Sequence, residues 1–213
     1  MSGNHQKPKL DCCETPLRKD AFDLNDKQKI DLIADHFKEI MSILGLDLED
    51  DSLSGTPKRV AKMYVKEIFS GLNPENKPQI SLFENKFAYD KMIVEKDITV
   101  HSNCEHHFVP FLGKAHVAYF SNGNVIGLSK INRLVHYFSK RPQLQERLTL
   151  QIAREIRTVT NAEDVAVLIN AKHMCVASRG IQDVNTTTIT AEYFGRFNQP
   201  EVKAEFMRII GYE

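Results

Sequence analysis

Apolar residues recur at helical spacing in the first third of the chain. Asn25 and Gln28 form a capping-box pattern, and apolar positions then follow every three or four residues until Gly45. Thr56, which precedes a proline, is typical of the cap of a second helix, whose apolar stripe continues until Gly71. The pattern therefore predicts two helices before the chain changes character.

Alternation of β-branched and polar residues replaces the helical pattern after about residue 90. In chain order we predict strands over 92–100 and 114–120, a turn at Asn122-Gly123 leading into a short strand near Val125, helices from Ser129 and from Leu144, strands over 165–169 and 186–193, and a last helix from Pro200. This order predicts an α+β fold in which two helices cover one face of an antiparallel sheet. Because the other face and the edges need cover, we also expect self-association.

These patterns divide the chain into three parts. We expect a flexible tail over 1–24, a helical region over 25–80, and a mixed domain over 81–213 that includes a C-terminal helix. The N-terminus is polar and lacks the apolar centre of a secretory signal. No stretch approaches the roughly 18 consecutive apolar residues of a membrane span. The sequence therefore predicts a cytoplasmic protein with no membrane partner.

Composition excludes several classes of protein. The 213 residues include 28 Lys and Arg against 28 Asp and Glu, and 42% are hydrophobic, which is average for a globular domain and rules out collagen-like or disordered chains. A net charge of zero argues against a nucleic-acid partner. The charge is nevertheless uneven, with ten acidic and three basic residues over 20–54, and seven basic and two acidic residues over 125–160. A solvated helix face explains either run alone.

Cysteine and histidine cluster in one short segment and return in a second. Cys104 and His107 are three residues apart, and Cys175 follows a later predicted strand just as Cys104 does. If the two strand-end loops meet, three nitrogen and sulfur donors would bind zinc and leave a fourth position for water, as in catalytic zinc sites. The alternative is a pair of buried thiols beside unrelated histidines. His106 and His173 would adjoin the metal, either as proton carriers or as ordinary surface histidines.

Basic residues gather at a predicted helix start. Ser129, Lys130 and Arg133 lie on the predicted first turn, where free N–H groups and the helix dipole attract anions. Arg179 follows the second cysteine loop by four residues, and Arg59 in the second helix is a weaker candidate. Each of these cations alone is more often solvated surface. Together with a metal they predict a phosphorylated small molecule that undergoes hydrolysis.

Glu146 stands in the first turn of the long helix, and two interpretations of it stay open. A carboxylate at that position stabilises the helix start. A buried carboxylate could instead accept two N–H donors from a guanine-like edge.

Several segments together resemble the GTP cyclohydrolase I family. The motifs follow in order, from about residue 27 to the C-terminus: Thr56-Pro57-Lys58-Arg59-Val60-Ala61, Ser102-Asn103-Cys104-Glu105-His106-His107, Gly127-Leu128-Ser129-Lys130-Ile131-Asn132-Arg133, Arg141-Pro142-Gln143-Leu144-Gln145-Glu146-Arg147-Leu148-Thr149 and His173-Met174-Cys175-Val176-Ala177-Ser178-Arg179-Gly180. Ser121 departs from the family, in which many members have proline, and this should affect only the stiffness of a turn.

The resemblance implies the T-fold, in which five subunits close a ring and two rings stack into a homodecamer with active sites between subunits. It also implies one zinc ion per subunit, held by Cys104, His107 and Cys175, and GTP as the substrate. A zinc-activated water would attack C8 of the guanine ring, while His106 and His173 handle the protons.

The remaining roles that the resemblance implies concern the substrate. Formate would leave, and the product would be 7,8-dihydroneopterin triphosphate, which serves folate or tetrahydrobiopterin synthesis. Ser129 would assist the ribose steps and bind phosphate, and Glu146 would accept the guanine N–H groups with Gln145 beside it. The triphosphate would be held by Lys130, Arg133, Arg179 and, from a neighbouring subunit, Arg59.

Two other functions compete with this one. A T-fold nitrile reductase acting on a deazaguanine would use a cysteine nucleophile and NADPH. A non-catalytic oligomer of the same fold would be expected to lack a zinc ligand or a proton-handling histidine. The paired loops and the Ser129-Lys130 pair argue against the reductase, and the presence of every expected zinc ligand and proton-handling histidine argues against the non-catalytic oligomer. His and Cys ligands favour zinc but also bind ferrous iron.

Overall fold

The computed structural model describes residues 14–212. Its helices are α1 (Asp26–Ile43), α2 (Thr56–Met63), α3 (Leu128–Ser139), α4 (Gln145–Thr160), α5 (Met174–Ala177) and α6 (Pro200–Ile210). Its strands are β1 (Leu82–Glu84), β2 (Ile93–Cys104), β3 (Pro110–Tyr119), β4 (Asn124–Ile126), β5 (Pro142–Gln143), β6 (Val165–His173) and β7 (Thr188–Tyr193). The predicted order of two strands, two helices and two strands is confirmed by β2, β3, α3, α4, β6 and β7. No helix among the described residues is long and apolar enough to cross a membrane.

The predicted flexible tail lies only partly within the described residues, since its first 13 positions fall outside them. Residues 14–24 form bends and turns. Lys29 Nζ donates a hydrogen bond to the Ala21 carbonyl (3.0 Å), and a Glu14 carboxylate oxygen lies 3.9 Å from the Arg141 guanidinium. This segment therefore touches both the first helix and the body of the chain.

The capping box predicted at the start of α1 is confirmed. Asn25 Oδ1 accepts the Gln28 amide, and Gln28 Oε1 accepts the Asn25 amide, both at 3.0 Å. The second helix differs from the prediction at both ends. Gly55, not Thr56, is the N-cap of α2, and α-helical geometry ends at Met63, after which the backbone widens into a π-helical turn. A side-chain cap is less needed here, because the proline after Thr56 removes one of the free N–H groups.

Five strands form the main sheet in the order β5-β2-β3-β6-β7. Neighbours are antiparallel, except that the two residues of β5 run parallel to the end of β2. Helices α3 and α4 cover one face over a core of buried aliphatic side chains. On the opposite face, Phe206 and Ile210 of α6 pack with Ala118 and Leu168. The chain itself thus covers part of the face that the sequence left for a partner.

The predicted turn at Asn122-Gly123 and the short strand after it both form, but this strand does not pair with β3. Gly123 has the positive φ of +81° that such a turn requires. However, β4 pairs with β1 in a separate two-stranded sheet. The Ile126 amide donates to the Tyr119 hydroxyl (3.0 Å), a buried bond that turns β4 away from β3. The sequence pattern did not predict β1.

Helix α3 begins one residue before the predicted cap. Gly127 is the N-cap, and Ser129 lies in the first turn without making a capping hydrogen bond. Since a helical turn has about 3.6 residues, Lys130 shares that turn but Arg133 lies in the second. Ser129 therefore does not cap this helix, and the prediction that Arg133 lies in its first turn is wrong.

Helix α3 lies along β2 and points in the same direction. Near its start, Asn132 Nδ2 donates to Glu95 Oε1 (3.3 Å), close to the beginning of β2. Near its end, Gln143 Nε2 donates to the Phe138 carbonyl (2.9 Å), and Gln143 pairs with Cys104 at the last residue of β2. The N-terminus of α3 and Cys104 therefore lie at opposite ends of the sheet.

Candidate metal centre and active site

A tight turn between β2 and β3 presents the first metal-ligand candidates. The Cys104 amide donates to the Val109 carbonyl (2.9 Å), and the Phe108 amide donates to the Cys104 carbonyl (2.8 Å). Phe108 has a φ of +54°, a left-handed conformation that reverses the chain. His106 and His107 are exposed on this turn, whereas Cys104 is 6% exposed. The turn therefore sets a buried thiol beside two accessible imidazoles.

The second loop follows β6 and meets the first. Strand β6 pairs with β3 so that His173 lies opposite Phe111, and α5 then carries the next cysteine. The side-chain donor atoms of Cys104, His107 and Cys175 all lie within 4.8 Å of one another. The two loops thus meet, which is the condition that the sequence set for a shared metal site.

The donor set fits a tetrahedral metal ion. Cys104 Sγ lies 4.0 Å from His107 Nδ1, and zinc bonds of about 2.3 Å to sulfur and 2.1 Å to nitrogen would separate two ligand atoms by about 3.6 Å. Burial raises the pKa of the Cys175 thiol, and the neighbouring Cys104 raises it further. Two adjacent thiolates are therefore unfavourable on their own, and a divalent cation relieves that repulsion.

An imidazole and a guanidinium border the three donors. His106 Nδ1 lies 3.8 Å from Cys104 Sγ, and Arg179 Nη1 lies 3.2 Å from His107 Nε2. Both His106 and Arg179 are exposed. The group thus has a titratable ring and a fixed positive charge on its solvent side.

His173 is held from two directions. Its ring stacks on Phe111, with ring centroids 4.6 Å apart and planes at 15°, and its Nε2 lies 2.8 Å from Gln145 Oε1. Because Oε1 can only accept, His173 Nε2 carries the proton of this hydrogen bond. Burial lowers the pKa of His173, although the Glu146 carboxylate opposes the shift. The neutral ring then offers Nδ1 as a proton acceptor.

Gln145 fixes this arrangement from inside the subunit. Its Nε2 donates to the Ile169 carbonyl (3.1 Å), the Thr188 carbonyl (2.9 Å) and Thr190 Oγ1 (3.1 Å), and the residue is 2% exposed. The sequence placed Gln145 beside Glu146 at the guanine. The structure engages the Gln145 amide within the subunit and leaves Glu146 exposed at the start of α4.

The support beneath the first loop was not found from the sequence. Arg147 forms an ion pair with Glu105, and its Nε donates to Gln143 Oε1 (3.0 Å). The Glu105 amide also donates to the Gln143 carbonyl (3.0 Å). Opposite charges 42 positions apart leave no local pattern that would predict this pairing.

The candidates for phosphate binding lie elsewhere on the subunit. Ser129, Lys130 and Arg133 belong to the first two turns of α3, and the length of β2 between there and Cys104 is roughly 30 Å at about 3.3 Å per residue. Arg59 donates to a carbonyl and a hydroxyl of its own helical region (3.0 and 2.8 Å). Within residues 14–212, no hydrogen bond or ion pair joins these four residues to the cysteine-histidine group.

Comparison with known proteins gives a single family. The family model for GTP cyclohydrolase I matches residues 33–211. Three curated relatives are named GTP cyclohydrolase 1. The one from Flavobacterium johnsoniae is 55% identical over 197 residues, which cover 92% of this chain and 88% of the relative. The one from Aeromonas salmonicida is 52% identical over 91% and 88% of the two chains, and the one from Erwinia tasmaniensis is 50% identical over 92% and 90%.

Among solved structures, the chain is similar to the archaeosine synthase QueF-Like in the apo form, with a TM-score of 0.43, 15% identity, and coverage of 50% of this chain and 96% of that one. The matched family segment contains both loops and the main sheet. The α+β T-fold that the sequence predicted is confirmed by this family match. The chain belongs to the GTP cyclohydrolase I family.

Proposed function

We propose that this hydrolase opens the imidazole ring of the guanine of GTP at C8 in the cytoplasm, releases formate and forms 7,8-dihydroneopterin triphosphate. The observation that carries the proposal is the convergence of Cys104, His107 and Cys175 within 4.8 Å. Three nitrogen and sulfur donors on two loops are typical of a catalytic zinc site, which keeps a position open. Such a site suits hydrolysis better than the cysteine and NADPH chemistry of the alternative reductase.

The three donors would hold one zinc ion per subunit. When bound, zinc supplies a Lewis acid that activates water near neutral pH for attack on C8. Cys104 contributes a buried thiol fixed by the β2–β3 turn, whereas His107 approaches from the exposed side. The pairing of Arg147 with Glu105 keeps that turn in register with α4.

Two histidines would move protons around the reacting ring. His173 carries its proton on Nε2, towards Gln145, so its Nδ1 can accept one. His106 is exposed beside Cys104 and can exchange protons with solvent. We assign Gln145 the role of orienting His173 next to the guanine.

Substrate binding would require more than one subunit. Glu146 and Arg179 lie near the cysteine-histidine group and would bind the guanine edge and a phosphate. Ser129, Lys130 and Arg133 lie roughly 30 Å away along β2, at about 3.3 Å per residue, so one GTP molecule cannot span both sets within a single subunit.

We therefore propose that a neighbouring subunit supplies these α3 residues. Ser129 would act there in the ribose steps as well as in phosphate binding, and Arg59 of a neighbouring subunit would complete the triphosphate site. This assigns the enzyme a homo-oligomeric form, which we propose to be two stacked pentamers.

Turnover of GTP by the purified, zinc-supplemented protein tests the proposal. We expect formate and a pterin product from GTP alone, with no nicotinamide cofactor. In His107→Asn, one of three donors is replaced by a weaker ligand, so bound zinc and turnover should fall together by at least about 100-fold. His36→Asn, which changes an exposed histidine of α1, is the matched control and should match the wild type.

Absence of formate from a zinc-loaded, assembled sample would overturn the proposed reaction. Full zinc content in His107→Asn would show that His107 is not a ligand, even if turnover is lost.

A further inference from the structure

A cavity of about 450 Å³ lies beneath the segment 14–22, away from the metal loops. Its other walls come from the C-terminal end of α3 and the second half of α4. The volume is typical of a small-molecule site. None of the metal-ligand, proton-transfer or phosphate candidates lines it, so the proposed reaction does not account for it.

Arg141 is the buried cation of this cavity. It is 8% exposed, its Nε donates to the Gly71 carbonyl (2.8 Å), and its guanidinium carbon lies 4.7 and 4.9 Å from the ring centroids of Tyr137 and Phe138. Its terminal nitrogens have no hydrogen-bond acceptor within residues 14–212, and the Glu14 carboxylate is 3.9 Å from Nη1. The terminal nitrogens are not buried from solvent without a partner, so they reach the open cavity, where an anion can pair with them.

The charges around the cavity favour one further anion. Lys77 is already paired with Glu155 at 2.9 Å. Among the lining residues that belong to the described range 14–212, Arg141 and Arg154 are then opposed only by Glu14. The Glu14 side chain is 76% exposed, and such an exposed partner at 3.9 Å contributes little.

The rest of the wall is mostly apolar. Leu17 and Phe22 face it from the N-terminal segment, and Leu72 from the turns after α2. The Thr15 hydroxyl also lines the cavity and is buried without a hydrogen-bond partner. A ligand that matches both the Arg141 guanidinium and this apolar wall has one anionic group and a compact apolar body.

We propose that this cavity is a binding site for a small organic carboxylate. The carboxylate pairs with the two terminal nitrogens of Arg141 in the bidentate geometry that guanidinium favours. Its apolar body lies against Leu17 and Phe22. Glu14 is the internal competitor, since its own carboxylate is the one that now approaches Arg141.

The cavity is connected to the metal loop through Gln143. Phe138 and Gln151 line the cavity, and both hydrogen-bond the Gln143 side chain (2.9 and 2.8 Å). On its other side, Gln143 pairs with Cys104 and accepts the Glu105 amide (3.0 Å). A bound ligand would therefore contact Phe138 and Gln151, which position the Gln143 side chain against the metal loop. The hydrogen-exchange protection of the Glu105 amide should change when the ligand binds.

Calorimetric titration of the full-length, zinc-loaded protein with benzoate tests this site, with neutral benzamide as the isostere. We expect benzoate to bind and benzamide to bind at least about tenfold more weakly, because a charged hydrogen bond to Arg141 is lost. Glu14→Gln should tighten benzoate binding about two- to fivefold, since it removes an exposed competing carboxylate. Hydrogen exchange should show altered protection at Glu105 when benzoate is bound.

Glu163→Gln is the matched control, because Glu163 is another exposed carboxylate paired with an arginine, Arg157, and it should leave benzoate affinity unchanged. Equal binding of benzamide and benzoate, or an unchanged affinity in Glu14→Gln, would overturn the site. Unchanged exchange at Glu105 would overturn its link to the metal loop. Arg141 is left intact in these variants because it also fixes Gly71.

Discussion

Gln145 joins two strands and orients His173 through the hydrogen bonds of one side-chain amide. Its nitrogen donates hydrogen bonds to the carbonyls of Ile169 and Thr188, which lie on β6 and β7. Its oxygen accepts a hydrogen bond from the Nε2–H of His173. The donors on one side fix the amide in one orientation, so the tautomer of His173 is set by bonds far from the ring itself. A side chain of similar shape that lacks these hydrogen-bonding groups therefore cannot replace Gln145.

Gln145→Met tests how much the hydrogen bonds of Gln145 stabilise the protein. The substitution keeps the length of the side chain but leaves several buried polar groups without partners, so we expect the free energy of unfolding to fall by about 2–3 kcal/mol. Gln199→Met is the control at an exposed position, where the change should stay within about 0.5 kcal/mol. Urea unfolding at fixed protein concentration measures both, and equal stability of the two variants would show that the Gln145 network is not stabilising.

Individual residues were predictable where chemistry depends on residue type and short spacing. Cys104 and His107 stand three positions apart, and their proximity follows from the chain itself. Gln145 was different, because its partners lie 24 to 45 positions further on. Only the folded sheet brings them together, so no local pattern in the sequence indicates that the Gln145 amide is engaged within the subunit.

At the level of elements, the site depends on how closely β3 and β6 approach. Gly113 lies opposite Ala171, two positions from the pair Phe111 and His173. A Cβ built on Gly113 would lie 2.1 Å from the Asn170 carbonyl oxygen and 2.5 Å from Ala171 Cα. Since both contacts are with backbone, no side-chain rotation can relieve them.

Gly113→Ala should therefore force the two strands apart. Overpacking of this kind costs about 1–3 kcal/mol of stability, and the displaced strand end should also lower GTP turnover, because it carries His173. Lys114→Ala adds alanine at the next position, where the side chain is exposed, and should remain near the wild type in both measurements. If thermal unfolding and formate release of Gly113→Ala match those of Lys114→Ala, the close approach of the strands is not required.

Elements with long, regular patterns were predictable and short ones were not. The capping box of α1 and the alternation of β3 are local signals, and both were found. Strand β1 has three residues, all exposed, so it carries no alternation of burial that a pattern could reveal. Its partner β4 is also held by a hydrogen bond from the Ile126 amide to the Tyr119 hydroxyl, which joins backbone to side chain across a turn.

At the level of the whole molecule, the fold separates the two halves of the proposed active site. The metal group lies at the end of β2, and the cations of α3 lie at its beginning. The sequence shows that all these residues belong to one chain, but it does not show how far apart they lie in space. Because α3 runs along β2, the proposed binding of one GTP molecule by both sets of residues requires a second subunit.

Mixing two inactive variants should therefore restore activity. Cys175→Ser removes a metal ligand, and Lys130→Ala combined with Arg133→Ala removes phosphate cations. In co-assembled oligomers, an intact metal group faces an intact α3 at about one site in four by random mixing of equal amounts. Formate release by the mixture should approach that fraction of the wild-type rate.

The control mixture combines Cys175→Ser with His107→Asn, which damage the same half of the site, and it should stay inactive. Native mass spectrometry establishes that subunits have mixed. Mixed oligomers without activity in the first combination would place both halves of the site within one chain.

Because the two halves of the proposed site lie far apart in one chain, zinc content and the rate of catalysis depend on different properties of the sample. All three metal donors come from a single chain, so zinc binding reports how many chains are folded. In the proposed arrangement, formate release requires intact contacts between chains as well. Dilution that dissociates the oligomer should therefore lower formate release per chain, whereas a chain that stays folded keeps its own three metal donors.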